Sequence, residues 1–438
     1  MEDSKMKKIL ILLTVLLLLN VVFLCGEGKQ EESTELQEEV ILTFQNWLTS
    51  EEATKAVFTE IVKMFQKEHP KVSVKLNAVP YNNMKDQLIL ASVGGNPPDA
   101  SQTKTEWIAP LYEGGHVESL NKYYDESFLN DFYESNLEGI TFGDNILALP
   151  WAPSPIAVYA NKNLINRAGH DPNKRPKSWE EAQQIAADIA ALDQDEDGNR
   201  LYGWGVSTKK MTGTGYFFLS YIWLYGGSFL KGENINFDTP GTVKAYEWLE
   251  YAIENRISPK GAEIRDLRNL FAQGTLGFYM DGEFGISISE SLSPSGDDFS
   301  SQYFTMPMPV GPTGKSETFY VEHDLLIPKG SEHKEIAAEF IKFLTGVDAM
   351  SYYSENVGGK IPARKSVAKA DAYLKTIESS PHFGSFLEQL ETARPLPCKN
   401  SNFLKAMDEI SLAIEKVVAG GDPAEVVTET DENLKAIY

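Results

Sequence analysis

Cysteine is nearly missing from these 438 residues, with Cys25 and Cys398 the two present. No disulfide framework can be read from a pair in such different contexts, so stability must come from apolar cores. Positive charge is also scarce, 40 Lys and Arg against 63 Asp and Glu, for a net charge of −23. A surface of that sign repels a nucleic-acid backbone and excludes nucleic acid as a partner. Six histidines are scattered without a His-x-x-x-His spacing, and there is no Cys-x-x-Cys, no Gly-x-Ser-x-Gly and no phosphate-binding Gly loop. The chain therefore offers no familiar zinc, serine-hydrolase or nucleotide motif, and implies no cofactor. Internal repeats and long low-complexity stretches are missing as well.

What is present begins with length. A chain of this size exceeds what one core usually supports, so two domains are expected, and an apolar content of 42% supplies both. At the start, Lys5, Lys7 and Lys8 precede an apolar run from Ile9 to Leu24 that ends at Cys25 and Gly26. That is the layout of a secretory signal over 1–24, and the run is short for a membrane span, which wants about 20 apolar residues. Cys25 is the expected lipidation site, although Val22, Phe23 and Leu24 stand where a lipobox ends in a small residue. Residues 25–39 are polar and acidic, a composition that reads as a tether.

Beyond the tether the pattern alternates. Val40 to Trp47 reads as a strand and Glu51 to Glu68 as a helix with Val57, Ile61, Val62, Met64 and Phe65 on one face, stopped by Pro70. Val72, Val74 and Leu76 alternate as a second strand, and Tyr81 to Ala91 returns to helical spacing. Gly94, Gly95, Pro97 and Pro98 break the chain before a helix around Thr105 to Tyr112. Phe142 to Asn161 holds two apolar runs either side of a proline-interrupted break, and Ser178 with Glu181 makes a helix-starting capping box. Helices at Thr242 to Asn255, Asp266 to Phe271, Lys334 to Thr345 and Asp408 to Val418, with strands at Thr275 to Met280 and Tyr320 to Ile327, continue the alternation. The fold class is α/β, with crossover helices on open sheets.

Several segments occur in a telling order: Gly94, Asn96, Pro97, Pro98 and Asp99; Ala148-Leu149-Pro150; Tyr159 to Leu164 running into Ala168-Gly169; Ser178-Trp179-Glu180-Glu181; Leu224-Tyr225-Gly226-Gly227; Phe271 to Gly277; Ile327 to Ser331; and Gly359 to Arg364. In that order the chain resembles the extracellular solute-binding proteins of ABC sugar importers, the group that includes maltose-binding protein. The resemblance implies a two-lobed periplasmic-binding-protein fold of type II, each lobe a mixed β-sheet flanked by helices, joined by a multi-segment hinge. It places an N-terminal lobe at 40–151 plus 320–357 and a C-terminal lobe at 152–319 plus 358–438. Crossings are expected near Pro150 to Ala152, Phe319 to Glu322 and Val357 to Lys360. It further implies a monomeric, lipid-anchored binding protein, not an enzyme, that closes around a sugar and delivers it to membrane permease subunits.

A sugar offers C–H faces that pack on aromatic rings and hydroxyl edges that want charged or amide partners. Trp47, Trp107 and Trp151, in loops that face the cleft in such proteins, are the leading stacking candidates, with Trp223 and Phe284 behind them. Gln45, Asn46, Gln102, Lys104, Asp281, Glu283, Glu322, His323 and Asp324 are the polar candidates. Family members ordinarily carry Gly or aromatic residues near 322–324, so the run Glu322-His323-Asp324 is a departure that would make the cleft more acidic. Arg364 and Tyr225 are minor candidates. Asp193, Asp195, Asp197 and Gly198 reproduce the first half of a calcium loop, but the twelfth position is Trp204 instead of a bidentate Glu. Two alternatives stay open here: a secreted glycoside hydrolase using Asp281 and Glu283 as its two carboxylates, and a cell-surface adhesin lipoprotein.

Overall fold

The computed structural model describes residues 39–357, 359–378 and 380–438. The signal, the Cys25 lipidation site and the tether up to Glu38 lie outside the described residues. From Val40 onward the chain builds two large sheets and two short two-stranded ones, at Thr141–Phe142 with Asn145–Ile146 and at Leu230–Lys231 with Asn234–Ile235. The first takes β1 (Val40–Asn46), β2 (Val72–Ala78) and β3 (Ala100–Lys104), all parallel, with β2 and β3 on either side of β1. The second takes β5 (Ala157–Asn161), β6 (Tyr202–Gly205), β7 (Leu276–Asp281) and β8 (Tyr303–Met306) in the order β8-β5-β7-β6.

Three further strands complete the first sheet. β9 (Phe319–Leu326) runs antiparallel to β3 and also to β4 (Leu149–Pro155), and β10 (Arg394–Pro395) pairs parallel with the start of β9. β4 stays on β9 as far as Pro155, and β5 joins the second sheet from Ala157, so the chain passes from one sheet to the other at Ile156. β9 makes a second passage within one strand. Its Phe319 and Val321 pack into the second sheet's core and its Leu325 into the first's.

β4, β5 and β7 are buried at every residue, as strands covered on both faces are, whereas β2 at the edge of the first sheet alternates half-buried and exposed residues. In β5, Val158 and Ala160 face one core while Ala157 and Tyr159 face another, the period of two at work. The amphipathic helix Glu52–Glu68 buries Phe58, Ile61, Val62 and Phe65 against the first sheet. Thr212–Leu224, by contrast, is buried nearly all round and carries no apolar stripe, as a core helix should. The terminal helix Pro423–Ile437, which the alternation does not announce, starts with Asp422 accepting from the Glu425 amide and packs on Phe403–Val418 and Pro240–Glu254.

Candidate functional site

The carboxyl ends of β1, β2 and β3 open into one cavity of about 610 Å³. Trp47 follows β1, Tyr81 follows β2, and Lys104, Glu106 and Trp107 lie at the end of β3 and in the helix Thr105–Glu113 after it. That is where ligands sit in open α/β sheets. The opposite wall comes from segments around the second sheet: Tyr216 and Phe217 of the helix Thr212–Leu224, Arg265 and Arg268 of the helix Ile264–Ala272, and Phe284 just after β7. Ile156, Val321, His323, Tyr353 and Lys360 form the floor between them.

The aromatic wall is preorganised. Trp47 meets Tyr81 edge-on at 5.5 Å, Trp107 at 6.0 Å and the His323 ring at 5.0 Å, while Tyr81 and Trp107 lie 5.6 Å apart. Three polar candidates turn out to brace this wall. Asn46 Oδ1 accepts from the Thr49 amide and hydroxyl at 2.9 Å each, fixing the turn that carries Trp47. Gln102 Oε1 accepts from the Trp47 amide, and Gln45 Nε2 donates to the Met84 carbonyl. None of the three lines the cavity.

Charges in and behind the walls come as matched pairs. Lys104 Nζ sits 3.1 Å from Glu106 Oε1. Arg268 donates two bonds to Asp281, from Nε at 2.6 Å and Nη2 at 2.9 Å. Lys360 Nζ donates to Glu283 at 2.5 Å, and the Ser154 hydroxyl donates to the same oxygen at 2.9 Å. Phe284 lies under two of these cations, Arg268 at 5.5 Å and Lys360 at 5.6 Å. Burial alone would push the Lys104 ammonium down, but Glu106, with Tyr81 and Tyr216, more than reverses it, so Lys104 is charged. Burial and then the nearby Lys360 and Lys104 hold His323 well below the usual histidine range, so its ring is neutral. Asp281 and Glu283 thus each serve a different cation, which leaves no free pair of carboxylates for glycoside hydrolysis.

Several expectations meet a different placement. Trp151 does not face the cavity. Against β9, His323 pairs with Ala152 and Asp324 with Pro150, so Trp151 is the extra residue of a bulge, and it turns into the core to stack on Tyr353 at 5.4 Å. Its indole donates to the Leu344 carbonyl at 3.0 Å. Trp223 lies away from the cavity under Arg394, Tyr225 bonds Trp179, and Arg364 bonds Asp131. The run 322–324 splits by alternation: His323 enters the cavity, and Glu322 and Asp324 point behind it, so the cleft is not made acidic by them. The three aspartates of the half calcium loop do not converge. Asp193 pairs with Arg200, and Asp195 accepts from the amides of Asp197 and Asn199. Among the described residues no cluster of three or more His, Cys, Asp or Glu side chains is arranged to hold a metal.

The wall also contains residues that sequence reasoning missed: Tyr81, Glu106, Tyr216, Phe217, Arg268 and Lys360. Tyr81 follows β2 just as Trp47 follows β1, a signal that was available. Arg268 and Tyr216 sit on helices whose facing surface only the fold decides.

The family model for bacterial extracellular solute-binding proteins matches residues 46–351, and the chain belongs to that family. It is a solute-binding protein and not an enzyme. A binding protein of Brucella abortus (strain 2308) is 26% identical over 88% of this chain and 90% of its own length. Among solved structures, an ABC transporter solute-binding protein of Thermotoga lettingae bound with α-D-tagatose superposes with TM-score 0.78 at 21% identity, covering 91% of this chain and 99% of that one. UgpB of Mycobacterium tuberculosis in complex with glycerophosphocholine does so with TM-score 0.78 at 22% identity, over 94% and 98%. The fold shared with them is the two-lobed one, a sheet in each lobe.

Proposed function

We propose that the protein captures a sugar or oligosaccharide for an ABC importer, holding it between the Trp47, Tyr81 and Trp107 wall and the Arg268 and Phe284 wall. One observation carries this reading: one cavity between the two sheets is lined on both sides by aromatic rings and by paired charges, Lys104 with Glu106 on one side and Arg268 with Asp281 on the other. Rings serve the C–H faces of a pyranose, and Lys104, Glu106, Arg268 and Lys360 can bond its hydroxyls without leaving a net charge in the cleft. The tagatose-bound relative fits that reading.

The ligand contacts both lobes at once and so stabilises the closed form by contacts that the open form lacks. In this account the lobes are 40–151 plus 320–357 and 152–319 plus 358–438, save that 152–155 and β10 pair in the first sheet, the protein is exported and anchored through Cys25, and the loaded form delivers its ligand to membrane permease subunits. The tryptophans of the wall report binding. Titration of their fluorescence with α-D-tagatose, α- and β-linked oligosaccharides and glycerophosphocholine gives a saturable change with a carbohydrate and no product. Saturation by glycerophosphocholine alone, or turnover of any of these compounds, would overturn the sugar-capture reading.

A further inference from the structure

Behind the aromatic wall lies a second, much smaller space. It is enclosed, has room for about one water, at some 10 Å³, and is lined by Thr105, Glu106, Asn136, Tyr320 and Glu322 together with Pro395 and Leu396. Glu106 lines both this space and the ligand cavity. Four buried polar atoms at it have no hydrogen-bond partner among the described residues: both carboxyl oxygens of Glu322, Oε2 of Glu106 and Nδ2 of Asn136. Glu322, Glu106 and Asn136 are 2%, 3% and 4% exposed.

An ionised carboxylate with no donor and no bulk water is among the costliest arrangements in a protein interior. Acidic groups, not donors, surround Glu322. Its own strand adds Asp324 on the same face and the Tyr320 phenol, the helix after β3 adds Glu106, and the segment after β10 adds the buried thiol of Cys398. The one cation in this group, Lys104, is engaged by Glu106. Asp324 at least receives the Thr105 hydroxyl at 2.8 Å. Glu322 receives nothing. Its side chain therefore stays neutral: burial, followed by the neighbouring Asp324 carboxyl, pushes it well above the usual range, and burial pushes Asp324 up in the same direction.

We propose that Glu322 is a protonated, neutral acid which, through one enclosed water, fixes the Glu106 carboxylate in the wall of the ligand cleft. The water accepts from the Glu322 O–H and the Asn136 Nδ2–H and donates to Glu106 Oε2, which satisfies the Asn136 and Glu106 atoms and gives the Glu322 proton an acceptor. Glu106 then presents its other oxygen to Lys104. Glu322 is a positioning residue, acting on the cleft from behind.

Three measurements on the whole chain test this without any ligand. The first compares the pH dependence of unfolding in the wild type and in Glu322→Gln, which keeps the shape of the neutral acid. A proton held in the folded state is released on unfolding above about pH 4.3, so the wild-type unfolding constant rises, relative to E322Q, about tenfold per pH unit from there until the folded group itself titrates. A merely structural role gives parallel profiles, and parallel profiles overturn the proposal. The second is infrared spectroscopy at pH 7, where the protonated-carboxyl C=O absorption of the wild type falls in E322Q, any remainder belonging to Asp324, and is unchanged in Glu283→Gln; an absorption equal in E322Q and the wild type overturns the proposal. A crystal structure then shows one water touching Glu322, Asn136 and Glu106; a direct Glu322 to Glu106 contact with no water refutes the relay. Because no step uses a ligand, failure here leaves solute capture standing, and a failed ligand titration leaves this proposal standing.

Discussion

Replacing Glu283 by glutamine removes the charge that Lys360 needs while keeping the shape of the side chain and its bond to Ser154. The Glu283 side chain is fully buried and that of Lys360 is 6% exposed, so solvent screens the pair little. Removing one member of such a pair leaves an uncompensated buried charge and costs about 3–5 kcal/mol. Lys360 touches the ligand cavity, where some water reaches it, which places the expected loss near the lower end, about 3 kcal/mol. The double change Glu283→Leu with Lys360→Met removes both charges together and restores most of that loss, since a buried ion pair adds little over a well-packed apolar one. The assay is urea unfolding at pH 7 for the wild type, E283Q, Glu283→Leu, Lys360→Met and the double variant, the last three read with the wild type as a thermodynamic cycle. A single-variant loss under about 1 kcal/mol would refute the reasoning, as would a double variant no more stable than E283Q. The result matters for function because Glu283 follows β7 of the second sheet and Ser154 lies on β4 of the first, so this cluster spans the passage between them.

Further outcomes follow from the same geometry. Trp107→Ala weakens carbohydrate binding by about tenfold or more with the fold retained, whereas Trp151→Ala costs about 3–5 kcal/mol of stability, measured by ligand titration and by denaturant unfolding. Equal effects of the two on binding alone would contradict the core placement of Trp151. His323 is held neutral, so the stability it contributes is present above its unfolded pKa of about 6.5 and is lost as pH falls below that value. His323→Gln flattens this part of the pH-stability profile, and an unchanged slope would show that His323 charges freely in the folded state. Intact-mass analysis of the exported protein finds a diacylglyceryl-modified Cys25 as its first residue, and an unmodified mature terminus elsewhere would remove the lipid anchor.

Much of the fold was legible because the local signals agree with the final structure. The stripe Ile61, Val62 and Phe65 and the alternation Val72, Val74 and Leu76 each state an element and its facing side. The pattern put Trp47 at the end of a strand, and the family resemblance put Trp107 at the cleft, although the strand before it, Ala100–Lys104, was not read from the sequence. Other placements were hidden for physical reasons. A bulge is one residue of slippage, which nothing in Leu149–Pro155 announces, and it alone turns Trp151 to the core. Glu322 and Asp324 were grouped with His323 by adjacency, whereas a strand separates neighbours and joins alternate residues. Arg268, Lys360 and Tyr216 come to the cavity from segments far apart in sequence, and their roles follow from partners such as Asp281 and Glu283 that only tertiary structure supplies. Thr212–Leu224 lacks periodicity because it is surrounded by core.

A second open groove, about 560 Å³ and lined by Asn173–Lys177 and Met306–Val310, lies on the surface and is of similar size to the cleft. The measurement that tests the central claim most directly is therefore a crystal structure of the protein with the carbohydrate that saturates its fluorescence. The account predicts the carbohydrate between Trp47, Trp107 and Tyr81 on one side and Arg268 and Phe284 on the other. A carbohydrate seated in the groove at Asn173–Lys177, with the space between the two walls holding solvent, would contradict it.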